Sequence, residues 1–68
     1  MELSARNQIW GRVTSVKAGT VMAEVEVDIG GHSVVAAVTK ASVERLGIQE
    51  GHDIAVVIKS TDVLLARP

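Results

Sequence analysis

Three short segments concentrate hydrogen-bond donors: Ser4-Ala5-Arg6-Asn7 near the start, Thr39 with Ser42 in the middle, and Lys59-Ser60-Thr61 near the end. Their charged and hydroxyl groups are guanidinium, ammonium and alcohol, and the acid nearest to them is Asp62. A pocket of donors without inward carboxylates suits a ligand whose oxygens only accept. A tetrahedral dianion that carries no proton at neutral pH is such a ligand, and bonds to it from charged donors are stronger than neutral ones. Phosphate, which keeps some proton near neutrality, is better served where an acceptor is also present. Asp62 is read as a turn residue that points away. Each segment alone has a plainer reading: Thr39 as a helix cap, Lys59 as a solvated strand end, Arg6 as a surface charge. Only the combination points to an oxyanion.

Other chemistries find less to stand on. The serines at 4, 15, 33, 42 and 60 have no histidine beside them in sequence, and His32 and His52 fall at glycine turns as solvent-facing residues. Glu24, Glu26 and Asp28 share the wet face of one strand, where acids ordinarily solubilise an edge. Cysteine is absent, which excludes disulfides and thiolate zinc sites together. None of the six glycines forms a nucleotide fingerprint. Trp10 is too few aromatics for a base-stacking platform and is read as a core or interface residue. A net charge of −1, from seven basic and eight acidic residues, offers no excess to neutralise a phosphate backbone. The expectation is no catalysis, no protein-ligated metal, no organic cofactor and no nucleic-acid partner.

The donors must be positioned by strands. Thr20 to Ile29 alternates strictly, with Val21, Ala23, Val25, Val27 and Ile29 against Thr20, Met22, Glu24, Glu26 and Asp28. A period of two over ten residues marks one buried and one wet face. Strands are also expected at about 7–16, about 32–38, 54–58 and 63–66. Gly30-Gly31 permits a tight hairpin. A short helix spans Lys40 to Leu46, capped by Thr39 and stopped by Gly47, with Val43 and Leu46 covering the barrel end. Five strands with a helix after the third is the order of an OB-like barrel, so the fold class is all-β and residues 1–68 form a single domain.

A chain of 68 residues buries only roughly 60% of its unfolded surface. At 47% hydrophobic, with no Phe or Tyr and one Trp, it carries more aliphatic surface than one small barrel can hold inside. Strands three and four are apolar on both faces, which places the second face against another copy. No apolar run approaches the ~20 residues of a membrane span, the start is not a secretory signal, and the expected location is cytoplasmic.

The chain resembles the molbindins, the free-standing Mop domains of bacterial molybdate metabolism. The carriers are Ser4-Ala5-Arg6-Asn7-Gln8, Thr39 with Ser42-Val43-Glu44-Arg45-Leu46-Gly47, and Lys59-Ser60-Thr61-Asp62-Val63, in the family's order and at compatible spacing from about Leu3 to Ala66. The resemblance implies a homo-oligomer, a hexamer built as a trimer of dimers. Molybdate or tungstate would be bound at subunit interfaces for storage or homeostasis, the metal entering only as its oxyanion. It assigns Ser4, Ala5 and Arg6 to one subunit, and Thr39, Ser42, Lys59 and Ser60 to its neighbour. Trp10 departs from the pattern, which has a smaller or charged residue there. Two rival readings stay open: an OB-type nucleic-acid module and a purely structural oligomerisation domain.

Overall fold

The structure, a computed structural model, describes residues 5–68. Four strands and one helix follow in the order β1 (Asn7–Ala18), β2 (Met22–Asp28), β3 (Ser33–Thr39), α1 (Lys40–Leu46) and β4 (Asp53–Ile58), with a 3-10 turn at Ser60–Asp62. They form one antiparallel sheet in the spatial order β3-β2-β1-β4.

The long strand β1 organises the curl. Its first half, Asn7 to Arg12, pairs with β4, and its second half, Arg12 to Ala18, pairs with β2. The β1–β2 register shifts between Val13 and Ser15, so Thr14 is an extra residue that bends the strand. Its hydroxyl donates to the Glu26 carbonyl at 3.2 Å, which anchors the bulge. Gly11 sits where β1 passes closest to β2. A Cβ there would lie 2.5 Å from the Asp28 carbonyl oxygen and 2.8 Å from side-chain carbons of Val27 and Ile29.

Val21, expected on the buried face, precedes β2 and is 67% exposed. From Met22 to Asp28 the strand follows its alternation: Ala23, Val25 and Val27 are buried, while Met22, Glu24, Glu26 and Asp28 face water. With Val13 and Val43 they make the core, flanked by the half-buried Val16, Ile29, Val38, Ile48, Ile54 and Val56. The hairpin to β3 uses Gly30 and Gly31, both at positive φ, closed by Ile29 N–H donating to the His32 carbonyl at 2.7 Å.

Helix α1 has both expected caps. The Thr39 hydroxyl oxygen accepts from Ser42 N–H at 3.1 Å, and Gly47 ends the helix at φ 63°. Thr39→Ala therefore removes a cap, at a cost of about 1 kcal/mol. The melting temperature should fall by roughly 4–8 °C, with Thr39→Ser close to wild type. An unchanged melt for Thr39→Ala would mean that water replaces the cap at no cost.

Two expectations need correction. The fifth strand over 63–66 is not formed among the described residues: Val63 is extended, but Leu64 and Leu65 are 92% and 94% exposed and pair with nothing. The 3-10 turn after β4 sends the chain away from the sheet, so both β3 and β4 remain edges. Leu46 does not cover the barrel end. Val43 takes that place, and Leu46, at the last position of the helix, is 66% exposed.

Candidate functional site

The β1–β4 register brings the two ends of the chain together. Asn7 pairs with Ile58, and the Asn7 side-chain amide donates to the Ile58 carbonyl at 3.2 Å. Arg6 and Lys59 are the residues next to this last pair of the ladder, and both line one cleft. Gln8 holds the segment before β1 by donating to the Ala5 carbonyl at 3.0 Å. Past β4, the backbone of residues 59–62 closes into the 3-10 turn, with Asp62 N–H donating to the Lys59 carbonyl at 2.9 Å.

Between these segments lies an open cleft of about 410 Å³, lined by Ala5, Arg6, Lys59, Ser60 and Thr61. Two cations and two hydroxyls line it, and among the described residues no carboxylate does. Asp62, the acid of concern, is exposed on the turn and outside the lining. The side chains of Arg6, Lys59, Ser60 and Thr61 make no hydrogen bond or ion pair with other described residues. Their donors are therefore free for a ligand. Two positive charges without a counter-charge match a dianion, and the hydroxyls add directional bonds.

Four of the candidate residues, Ala5, Arg6, Lys59 and Ser60, thus meet within one chain. Lys59 and Ser60, which the resemblance assigns to a neighbour, already lie beside Ala5 and Arg6. Ser4 is outside the described residues. Thr39 and Ser42 are elsewhere: Thr39 lines a separate cleft of about 520 Å³ with Thr20, Val21, Lys40, Ala41 and Glu44. The Thr39 hydroxyl also donates to Ser42 Oγ at 2.8 Å, so that pair is partly spent on the helix cap. Thr61 is the lining residue that the candidate set lacks. Its place inside the Lys59-Ser60-Thr61 run, on a turn that fans successive side chains apart, was the available signal.

Trp10 does not enter the core. It is 69% exposed on β1, opposite Ala55, and stands beside Arg12 and Asp53, themselves an exposed pair at 3.6 Å. An ion pair this solvated contributes little. Among the described residues no three His, Asp or Glu side chains gather as a metal ligand set, and no helix is long and apolar enough to cross a membrane.

Comparison with known proteins bears on the family and the fold. The TOBE domain family matches residues 3–65. Molybdenum-pterin-binding protein 3 of Clostridium pasteurianum is 48% identical over 66 residues, covering 96% of this chain and 97% of that protein. The molybdate-binding protein from Sporomusa ovata superposes with a TM-score of 0.95 at 33% identity, over 98% of this chain and 100% of its own. The cytoplasmic molybdate-binding protein ModG, in a form with molybdate bound, gives 0.94 at 39% identity, over all of this chain and 49% of that one. An all-β, OB-like sheet with donor-rich ends and relatives matched along nearly its whole length places this chain in the TOBE-domain family, among its molbindin (Mop) members.

Proposed function

We propose that the protein reversibly binds molybdate or tungstate between copies of itself in a homo-oligomer, a hexamer, and serves cytoplasmic molybdenum storage or homeostasis without catalysing a reaction. The observation that carries this reading is the cleft lined by Arg6, Lys59 and Ser60, with no acid among the described residues that line it. Its size and openness support a shared site. A cleft of about 410 Å³ is far larger than a single tetrahedral oxyanion, so further walls are needed to exclude water. A neighbouring copy offers Thr39 and Ser42 as those walls, and Ser4 completes the opening motif. The free edges of β3 and β4 and the uncovered Leu64 and Leu65 favour such an assembly. Selection over sulfate then rests on cavity size, since both dianions are tetrahedral and unprotonated. The names of the Sporomusa and ModG proteins, as molybdate binders, point the same way.

Native mass spectrometry with added molybdate or tungstate tests subunit number and bound anions together. A multimer carrying a fixed number of anions is the expected spectrum; a bare monomer at all anion concentrations would end the proposal. In solution, an anion that binds only the folded state at 100 times its dissociation constant adds about 2.7 kcal/mol of stability. The melting curve should therefore move up with molybdate and stay put with an equal concentration of chloride.

A further inference from the structure

We infer that Thr61 is an additional anion contact, supplying a hydroxyl hydrogen bond beside that of Ser60. The inference rests on the oxyanion reading above and deepens it.

Thr61 lines the same cleft as Arg6, Lys59 and Ser60, although it belongs to none of the positions that the sequence singled out as ligands. Its backbone is held: Asp62 N–H donates to the Lys59 carbonyl at 2.9 Å and Val63 N–H to the Ser60 carbonyl at 3.5 Å. A 3-10 turn has about three residues per turn, so neighbouring side chains diverge by about a third of a circle. Ser60 and Thr61 nevertheless both line the cleft, so two adjacent hydroxyls are available to one ligand. The Thr61 hydroxyl makes no hydrogen bond to another described residue. It is exposed, so its substitution should cost the fold little.

The chemistry of the ligand gives it work. Four oxygens sharing two negative charges present more acceptor positions than Arg6, Lys59 and Ser60 can fill from one wall. The β-branched side chain of Thr61 has restricted rotamers, which lowers the entropy lost when its hydroxyl is fixed on an oxygen. A serine there keeps the donor; a valine keeps the shape and deletes the donor alone.

The test is isothermal titration of wild type, Thr61→Val and Thr61→Ser with sodium molybdate, alongside thermal melts without the anion. A hydrogen bond to a charged oxygen is worth enough that Thr61→Val should weaken binding about 10-fold or more. Thr61→Ser should stay within about threefold, and all three melts should coincide. Wild-type binding with an equally tight Thr61→Val overturns this inference and leaves the oxyanion reading intact. Wild type that takes up no molybdate overturns the oxyanion reading itself, and this inference with it.

Discussion

Gly11→Ala should destabilise the protein by about 3 kcal/mol, at the upper end of what overpacking costs. The melting temperature would then drop by more than roughly 12 °C. The reason lies in which atoms a new methyl would meet. The nearest, 2.5 Å away, is the backbone carbonyl oxygen of Asp28, and real Cβ atoms essentially never come so close. A side-chain tip could rotate aside, but this oxygen belongs to the last residue of β2, locked in register opposite Arg12 on one side and Ser33 on the other. Relief requires β1 to lift off β2 at the point where it hands over from one neighbour to the other. Val27 and Ile29, at 2.8 Å, add apolar crowding at the core's margin. A larger side chain, as in Gly11→Val, should prevent folding altogether. Gly11→Ala that melts within about 2 °C of wild type would show that β1 does not cross β2 as closely as described. The lesion should also be felt in binding, because Arg6 immediately precedes the same strand and lines the cleft with Lys59.

Local pattern in the sequence reached some of this and stopped at identifiable points. The alternation of Met22 to Asp28 is a property of one strand packed on one core, so it reads directly as Ala23, Val25 and Val27 inward. The helix from Lys40 to Leu46 is bounded by residues whose roles are chemical, a hydroxyl at Thr39 and a left-handed glycine at Gly47. Where pattern failed, the decisive partner was remote or missing. Val63 to Ala66 has the composition of a strand, but a strand needs an edge to pair with, and the 3-10 turn before it removes the chain from its own edges. Trp10 reads by type as a core or interface residue; its 69% exposure opposite Ala55 removes the core alternative, and Val13 takes the buried place on β1. The site was half legible. Donor types and the lack of acids are written in the segments themselves. That Arg6 meets Lys59 is a consequence of the β1–β4 register, across 51 residues of chain between Asn7 and Ile58, and no local signal states it.

Neutralising the cleft should produce the largest loss of binding. Removing Lys59 as Lys59→Met keeps the apolar stem and deletes the ammonium, and should cost about 1.5–3 kcal/mol of molybdate affinity, the range for a bond to a charged group. Arg6→Met should cost a similar amount. Among the described residues, the double variant leaves Ser60 and Thr61 as the only donor side chains on the cleft wall, and hydroxyls cannot balance a charge of two. Its affinity should fall at least about 100-fold if the losses add, since the two lower limits sum to about 3 kcal/mol. A shortfall from additivity is itself informative, since residues that share a partner couple by about 0.5–3 kcal/mol. Both side chains are exposed and unpaired among the described residues, so the melts of the anion-free variants should match wild type. That separates lost charge from lost fold. Raising the ionic strength screens exposed charges, so wild-type affinity should weaken with salt, and the double variant should be almost insensitive to it. Arg6→Lys adds a finer reading. It preserves the charge but replaces a planar fork of donors by a point charge, so affinity should fall between wild type and Arg6→Met if the guanidinium grips two oxygens at once. Titrations in which the single and double variants all bind as wild type does would place the anion elsewhere on the molecule.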